Sequence, residues 1–430
     1  MNYPESIFYL EQEIGFTSRP GLERITNLMN KLGNPEKKLK TIHIAGTNGK
    51  GSATAMLSSI LKESGLKTAS YTSPHLEKYN ERFVINGKEI SDKDFTKIIT
   101  QTKQACEELV LDGLEAPTLF EVVTAAAFLY FAKENVDIAI FEVGLGGTYD
   151  ATNIIKEPLL SIIMSISLDH TEFLGNTIEQ IALEKAGIIK KNCPLVLYFQ
   201  EELVYNIVKN RADALNAPLY CLKNSEINIL TQTLEGTVFE IKNSLFHYEK
   251  LFLPLLGNHQ IQNCITILEC CEVLKKNGIA LTKKQIQTGI ANASWPGRME
   301  ICNNKPLLLL DGAHNVDGIA RLAENIHTYF QNKNITLVLG ILGDKEYEKM
   351  ASLIIPYANQ LILTEPHSDR KLDAQKLATT VCNNELPLYI EPELHNAYQT
   401  ALKITNEEDV ILCCGSLYMV GALRSYILSI

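Results

Sequence analysis

The chain has 430 residues, of which 46% are hydrophobic and 21% are charged, and its formal net charge is -10. This length exceeds what one hydrophobic core supports, so we expect two domains, and the ordinary composition excludes extensive disorder. The acidic balance argues against nucleic-acid binding, which requires clustered lysine and arginine side chains.

Cysteine usage and the first residues indicate the compartment. The chain has 10 cysteines but no C-x-x-C pair, so we expect reduced thiols and a cytoplasmic protein. The first sixteen residues contain three glutamates and no basic segment, and no apolar run reaches the roughly 18 residues that a membrane span needs. We predict neither export nor membrane insertion, and we expect a monomer.

Short apolar runs alternate with helical patterns after Lys40, which predicts a mostly parallel sheet covered by helices. Polar residues follow several of the predicted strands. A ligand site is therefore expected where the carboxyl ends of these strands meet. The predicted elements are a strand over 41–45, a helix over 53–64, a strand over 67–71, a helix over 117–134, strands over 136–143 and 159–168, and a helix over 177–190.

Residues 222–253 differ from this pattern, because alternating residues and turn formers predict a small antiparallel β-element at the edge of the first domain. Residues 295–298 follow the end of a helical pattern, and we predict domains over 1–295 and 296–430. The second domain is expected to be a Rossmann-like α/β domain, and the first a P-loop NTPase-like domain. Strands of the second domain are predicted over 307–310, 335–340, 360–364 and 410–414.

A glycine-rich segment follows the first predicted strand and has the composition of a phosphate-binding loop. Glycines let backbone N–H groups point at phosphate oxygens, while a helix N-terminus and a lysine add positive charge. Ile44 replaces the first glycine of the common pattern, and one glycine separates the lysine from the serine. We predict that the segment binds ATP; the alternative is a glycine-rich turn without a ligand. Its residues are Gly46, Thr47, Asn48, Gly49, Lys50, Gly51 and Ser52.

A magnesium ion normally accompanies ATP and prefers oxygen ligands. Glu142 is the main candidate carboxylate because it ends a buried apolar strand, where phosphate-binding folds place an acidic metal ligand. The alternative is a glutamate that only caps the strand. Asp150, Asp169 and His170 are further candidates nearby.

Three other side chains are ambiguous from these patterns alone. A histidine after a strand, such as His170, is often a hydrogen-bonded loop residue. Lys185 has the pattern of an ordinary surface lysine, and Ser73 that of an ordinary loop serine. Roles for them therefore need further support.

The phosphate-binding segment is one of a series of short motifs that covers nearly the whole chain. The motifs are residues 43–52, 72–76, 80–82, 117–121, 142–147, 150–153, 169–171, 184–188, 257–260, 295–298, 311–315 and 415–418. In this order they resemble the folylpolyglutamate synthases and their bifunctional relatives with dihydrofolate synthase activity, which belong to the Mur-ligase superfamily. An ordered series is far more specific than any single motif.

This resemblance implies a metal site that draws on several strands. Ser73, Glu142 and His170 are expected to bind two magnesium ions, which accounts for the displaced position of Ser52 in the loop. Lys185 is expected to be carbamylated, a modification that requires an unprotonated and partly desolvated amine.

The resemblance also implies contacts to the nucleotide. Asn258 is expected to contact adenine, and Arg298 to reach the phosphates from the hinge. Asp311 and His314 are expected to complete the nucleotide site from the second domain. Without a ligand, Asn258 would be a turn residue, Arg298 a hinge anchor and Asp311 a strand-end cap.

The implied reaction transfers the γ-phosphoryl group of ATP to a carboxylate, and the amine of L-glutamate then attacks the acyl phosphate. The expected acceptors are tetrahydrofolate, which is extended as a polyglutamate, and dihydropteroate. The second domain is expected to close over the first and exclude water. The expected catalytic residues are Lys50, Glu142, His170, Lys185 and His314.

The sequence departs from the family pattern at one position. Thr148 stands where many relatives carry arginine, which affects recognition of the pterin.

Three alternative functions stay open. A peptidoglycan Mur ligase fits less well, because only about 40 residues precede the loop and these are too few for a nucleotide-sugar domain. A P-loop NTPase coupled to movement needs only Lys50 and Glu142, and a non-catalytic nucleotide-binding module does not need His170. Glutamate-dependent release of phosphate distinguishes the ligase from the NTPase, and a His170 replacement that leaves the biological role intact would indicate the module.

Overall fold

The computed structural model describes residues 1–15, 19–381 and 386–429, which form two α/β units. An eight-stranded and a three-stranded sheet belong to the first unit, and a six-stranded sheet belongs to the second. Both large sheets are mostly parallel. The predicted class is therefore confirmed: two α/β domains, the first with a small extra β-element.

The large sheet of the first unit has β1 near its centre, with β5 and β6 parallel on either side. Ile44 of β1 lies opposite Glu142 of β5. The two strands at one edge run antiparallel to their neighbours. The strands are β1 (Thr41–Ala45), β2 (Thr68–Tyr71), β3 (Phe83–Ile85), β4 (Lys88–Glu89), β5 (Ile138–Glu142), β6 (Leu160–Ile163), β7 (Leu195–Leu197) and β8 (Leu219–Tyr220).

Several helices of this unit begin at side-chain caps that the sequence provides. The hydroxyl of Thr118 and the carboxylate of Glu121 form a capping box at the start of α5. The helices are α1 (Tyr3–Phe8), which continues as a π-helix (Tyr9–Ile14), α2 (Glu23–Lys31), α3 (Lys50–Glu63), α4 (Asp92–Leu111), α5 (Leu119–Lys133), α6 (Thr171–Leu174), α7 (Ile178–Lys185), α8 (Glu202–Ala214), α9 (Asn258–Lys276) and α10 (Lys283–Ala291).

The first helix after β1 is held against the sheet by its apolar face. Met56, Leu57, Ile60 and Leu61 of α3 are fully buried in a core shared with β1, β5, β6 and α9. Burying such side chains is the main source of stability at this position. The phosphate-binding segment therefore sits on a rigid support.

The small β-element is a three-stranded antiparallel sheet made of β9 (Glu226–Thr233), β10 (Gly236–Lys242) and β11 (His247–Leu253). Phe239 and Ile241 of β10 are buried in the core that α9 shares, whereas the residues of β9 are mostly exposed. The predicted element over residues 222–253 is therefore present at an edge of the unit.

The second unit has β17 at its centre, parallel to β13 and β14, and an antiparallel edge strand β12. Its strands are β12 (Glu300–Asn304), β13 (Leu307–Asp311), β14 (Ile335–Leu339), β15 (Gln360–Leu363), β16 (Leu388–Ile390) and β17 (Val410–Cys414). Its helices are α11 (Val316–Tyr329), α12 (Tyr347–Ile354), α13 (Ala374–Val381), α14 (Leu394–Ile404) and α15 (Leu417–Ile427).

Some predicted boundaries were too long. The strand predicted over 159–168 ends at Ile163, because the residues after it turn to bond with the phosphate-binding segment. The helix predicted over 177–190 ends at Lys185 and continues as a 3-10 turn. The chain passes from the first unit to the six-stranded sheet of the second between the end of α10 and the start of β12. The exact domain division at 295/296 stays a prediction.

Within the described ranges, no helix combines the length and the apolar character needed to cross a lipid bilayer.

Candidate active site

The phosphate-binding segment joins the end of β1 to the start of α3. Gly46 has a φ of 152°, and a Cβ there would lie 2.7 Å from the Cβ of Met164, so only glycine fits. The N–H of Thr47 donates to the carbonyl oxygen of Ser165 at 2.7 Å. Its hydroxyl donates to the carbonyl oxygen of Ser167 at 3.0 Å. The loop after β6 therefore fixes the shape of the segment.

Two lysine side chains converge on the carbonyl oxygen of Gly46. Lys50 Nζ donates to it at 3.0 Å and to the carbonyl oxygen of Thr47 at 3.1 Å. Lys185 Nζ donates to the Gly46 carbonyl at 2.9 Å. Burial of Lys185, together with the charge of Lys50, lowers the pKa of Lys185 to about 7. A large share of Lys185 is therefore an unprotonated amine at neutral pH.

Glu142 is the carboxylate that faces the segment. Its Oε1 lies 3.9 Å from Lys50 Nζ, and burial raises the pKa of Glu142 to about 7 against the opposing charge of Lys50. Asp150 is committed to the backbone instead, because its Oδ2 accepts hydrogen bonds from two N–H groups of the loop after β5. Glu142 is thus better placed than Asp150 to bind a cation.

Ser73 and His170 line the same small chamber as Glu142 and Lys185, a cavity of about 110 Å³. Ser73 Oγ is buried and has no hydrogen-bond partner among the described residues. His170 follows β6, and its side chain is 43% exposed. The hydroxyl and the carboxylate are oxygen ligands of the kind that magnesium prefers when waters and phosphates complete its shell, whereas the imidazole is a nitrogen donor more typical of transition metals.

The hydroxyl is a necessary part of that donor set. The described ranges contain no group of three or more histidine, cysteine or carboxylate side chains arranged for a metal. Histidine, cysteine and carboxylate side chains alone therefore do not mark the chamber, and the unpartnered Ser73 Oγ is the feature that indicates it.

Arg298 and Asp311 are residues of the second unit that line the cavities at the site. Arg298 lines both the chamber and the larger cleft beside it. The Asp311 carboxylate accepts hydrogen bonds from the N–H groups of Met299 and Ala313 at 2.9 and 2.8 Å. Asp311 therefore shapes the hinge backbone, as a strand-end cap would, while it also lines the cleft.

His314 is a neutral imidazole at the edge of the chamber. Its Nδ1 lies 2.8 Å from the carbonyl oxygen of Gly312, which can only accept, so Nδ1 carries the hydrogen. Burial and the charge of Arg298 lower the pKa of His314 to about 4. At neutral pH, Nε2 therefore keeps a free lone pair.

Asn258 does not line the cleft. It is exposed at the start of α9, where its Oδ1 accepts a hydrogen bond from Gln232 at 3.0 Å. Gln260 and Asn263 line the cleft instead, and Gln260 donates to Ser52 Oγ at 3.1 Å. Neither was predicted as a site residue, because α9 carries many polar residues and the sequence alone does not show which of them face the cleft.

A polar chain links the segment to the second unit. Asn48 Nδ2 donates to Asp317 Oδ2 at 2.7 Å, and Asn315 donates to Asp169 Oδ2 at 2.8 Å. Asp169 Oδ1 pairs with Lys345 Nζ at 2.8 Å. Asp317, Asn315, Asp169 and Lys345 were not predicted to connect the units, because their proximity arises only in the tertiary structure.

Thr148 binds backbone in the structure. Its N–H and its hydroxyl both donate to the carbonyl oxygen of Glu184, at 3.0 and 3.2 Å. It therefore attaches the loop after β5 to the end of α7. Arginine in its place would lose the hydroxyl contact, although its backbone N–H could still donate to Glu184.

Family models match both units. The Mur ligase middle domain matches residues 44–271, and the glutamate ligase domain of Mur ligases matches residues 297–417. The dihydrofolate synthase/folylpolyglutamate synthase of Bacillus subtilis is 37% identical over 98% of both chains. The chain belongs to the folylpolyglutamate/dihydrofolate synthase family. It is an ATP-dependent ligase of the Mur type, as the motifs predicted.

Solved members of this ligase family have the same fold. The folylpolyglutamate synthase of Thermotoga maritima is 36% identical and superimposes with a TM-score of 0.86 over 99% of this chain and 97% of its own. The Mycobacterium tuberculosis enzyme, solved with ADP, is 30% identical with a TM-score of 0.90 over 99% of both chains. These comparisons support ATP as the nucleotide of the ligase.

Proposed function

We propose that this ligase adds L-glutamate to the carboxylate of tetrahydrofolate, extending a polyglutamate, and also to dihydropteroate. One observation carries the proposal: Lys50, Glu142, Ser73 and Lys185 meet in a chamber beneath residues of the second unit. The Bacillus subtilis relative is named for both activities. Solved relatives hold DHPP with ADP in one case, and AMPPCP with folate in another. These ligands support both acceptors.

In the first step, the ATP phosphates lie over the start of α3, and Lys50 exchanges backbone carbonyls for phosphate oxygens. An acceptor carboxylate oxygen forms a bond to the γ-phosphorus, and the bond from that phosphorus to the bridging oxygen of ADP breaks. The products are an acyl phosphate and ADP. Lys50, Arg298 and the loop N–H groups stabilise the charge on the transferring group.

In the second step, the amine nitrogen of L-glutamate forms a bond to the acyl carbon, and the bond to the phosphate oxygen breaks. Inorganic phosphate leaves and an amide remains. We assign the proton of the attacking amine to His314 Nε2, because that nitrogen has a free lone pair.

Ser73, Glu142 and His170 are the residues that would hold two magnesium ions. The unpartnered Ser73 Oγ and the buried Glu142 support this assignment. Magnesium supplies positive charge to the phosphate oxygens. Lys185 is the site of a carbamate in this proposal: its free amine forms a bond to the carbon of carbon dioxide and loses one proton. The negative product suits a site beside cations.

We also propose that the ligase is a monomer that acts in the cytoplasm on ATP, L-glutamate and a reduced folate or dihydropteroate. The net charge of -10 supports the further expectation that it does not bind nucleic acid.

A phosphate-release assay tests the proposed function. Purified enzyme is given ATP and L-glutamate, and dihydropteroate or tetrahydrofolate is added in turn. We expect phosphate release only when an acceptor and L-glutamate are both present. Hydrolysis that ignores both would instead indicate an NTPase coupled to movement. Release with only one acceptor would restrict the ligase to that activity.

A further inference from the structure

A groove extends the nucleotide cleft along α3, away from the chamber. Hydroxyl groups dominate its walls, and each hydroxyl can both donate and accept a hydrogen bond. Alternate residues of β2 supply one wall, because every second side chain of a strand faces the same side. The hydroxyl residues of this α3 groove are Thr54, Ser58 and Ser59 on α3, Thr68 and Ser70 on β2, and Thr72 directly after β2.

One of these hydroxyls lacks a partner. Thr54 is 1% exposed, and its Oγ1 has no hydrogen-bond partner among the described residues. A buried unpaired hydroxyl costs stability unless a ligand or water satisfies it. Thr54 lies at the inner end of the groove, one helical turn beyond Lys50. The groove is therefore built to receive a hydrogen-bonding group there.

The charges along the groove favour an anion. Lys62 lines its outer end and forms no ion pair within the described parts of the chain. Five acidic residues line the cleft and its groove: Glu142, Asp311 and Asp317 lie at the chamber and the second unit, and the two beside the groove itself are already engaged. Glu81 accepts hydrogen bonds from three backbone N–H groups at 2.6 to 2.7 Å, and Glu89 pairs with Lys78 at 2.9 Å. Arg298 lines the inner end.

We propose that the α3 groove binds the γ-linked glutamyl chain of the acceptor, with the chain amides on the hydroxyl walls and an α-carboxylate at Lys62. This inference rests on the proposed function and assigns a place to a part of its substrate. Each γ-glutamyl unit carries one amide and one carboxylate, which matches walls that combine hydroxyls with a cation.

The length of the groove sets how many units it holds. Thr54 and Lys62 are eight residues apart on α3, which corresponds to about 12 Å at 1.5 Å per residue. One extended γ-glutamyl unit spans five bonds, or about 6 Å. About two units therefore fit between the chamber and Lys62. The benefit of a longer chain ends once these units are bound.

Charge reversal at Lys62 tests the inference. Kinetics are measured for wild type and Lys62→Glu with tetrahydrofolate acceptors that carry one, two, three and four glutamates. In wild type, KM falls from one to three glutamates and then levels off. In Lys62→Glu, we expect KM for the triglutamate to rise about fivefold, since an attraction is replaced by a repulsion. The rise for the monoglutamate is expected to be much smaller.

Lys88→Glu is the matched control, because Lys88 is an exposed lysine on the neighbouring strand β4 and does not line the groove. It is expected to leave the dependence on chain length unchanged. An equal effect of Lys62→Glu at every chain length overturns the inference, and so does an equal effect of Lys88→Glu. Failure of wild type to turn over even the monoglutamate contradicts the proposed function instead.

Binding of a pterin-free chain gives an independent readout. Tri-γ-L-glutamate is titrated into the ATP-loaded enzyme by calorimetry. We expect Thr54→Val, which removes the unpaired hydroxyl and keeps the shape of the side chain, to weaken this binding several-fold, while ATP affinity stays unchanged. Equal binding of tri-γ-glutamate to wild type, Thr54→Val and Lys62→Glu would place the chain elsewhere.

Discussion

The pKa of a single lysine governs whether the chamber can hold a carbamate. Lys185 has a pKa of about 7 because it is buried beside Lys50, and only the free amine reacts with carbon dioxide. Carbon-13 NMR with labelled bicarbonate should therefore show a carbamate signal that grows as the pH rises from 6 to 8. Lys185→Met should abolish this signal and lower kcat at least about 100-fold.

Lys190 provides the control for that experiment. It is five residues further along, its pKa is lowered to about 8, chiefly by burial, and its Nζ bonds with Asn153 Oδ1 at 2.7 Å. Lys190→Met should keep the carbamate signal. A signal that persists in Lys185→Met would show that another amine carries the group.

A second buried side chain makes stability depend on pH without taking part in catalysis. Glu269 of α9 is 3% exposed, and burial raises its pKa to about 7. The unfolded chain ionises this group near pH 4.5, so its contribution to folding is largest below that pH and is lost as the pH rises to 7. Glu269→Gln should therefore stabilise the protein by about 2 kcal/mol at pH 8.

Thermal unfolding of wild type and Glu269→Gln at pH 5 and pH 8 measures the effect. The amide oxygen can still accept the hydrogen bond that Leu222 N–H donates to the carboxylate at 3.1 Å. The difference in Tm should be small at pH 5 and large at pH 8. A difference that is the same at both pH values would show that ionisation of Glu269 is not responsible.

These single residues also show what a sequence pattern can predict. Lys185 has the pattern of an exposed lysine, and only the packing of α7 against the phosphate-binding segment buries it. For Glu142 the pattern predicts the observed position, because an acidic residue at the end of a buried strand is visible in the sequence, while its role as a metal ligand stays a prediction. Asn258 was expected to contact adenine because of the motif that contains it. In the structure, α9 presents Gln260 and Asn263 to the cleft and leaves Asn258 outside it.

At the scale of elements, the close contact between α3 and α10 holds the phosphate-binding helix in place. A Cβ on Gly289 of α10 would lie 2.4 Å from the Cα of Ile60. Gly289→Ala should thus lower the free energy of unfolding by about 2 kcal/mol through overpacking, although alanine favours helices by about 1 kcal/mol. Urea unfolding monitored by circular dichroism measures the change.

Lys284→Ala is the matched control for the helix contact. Lys284 lies on the exposed side of α10, so this substitution raises helix propensity without a clash and should leave stability within about 0.5 kcal/mol. Equal stability of Gly289→Ala and wild type would mean that the two helices can separate at no cost.

The bounds of a strand were predicted correctly where its apolar run ends at the same residue as its hydrogen bonds to the neighbouring strands. β1 and β17 were predicted with their observed bounds. For β6 the run continues through Met164 and Ile166, yet the ladder stops at Ile163. The reason is a long-range contact: the N–H and the hydroxyl of Thr47 donate hydrogen bonds to the carbonyl oxygens of Ser165 and Ser167, beyond the strand. No local pattern contains that information.

For the whole molecule, a polar chain connects the phosphate-binding segment to the second unit. Four segments that follow β1, β6, β13 and β14 are joined in this way, through Asn48, Asp317, Asn315, Asp169 and Lys345. Asp169 and Lys345 have side chains only 8% and 11% exposed. A buried pair of this kind contributes little net stability when intact, but an unpaired charge left behind is costly.

The pair therefore gives a clear prediction about closure. Lys345→Met leaves the Asp169 carboxylate buried without its cation, which should disfavour the closed arrangement by about 3 kcal/mol. Small-angle X-ray scattering with ATP bound should then show a larger radius of gyration than wild type. The double variant Asp169→Asn/Lys345→Met removes both charges and should recover much of the compact form. If the two substitutions instead act additively on the scattering, the pair does not hold the units together.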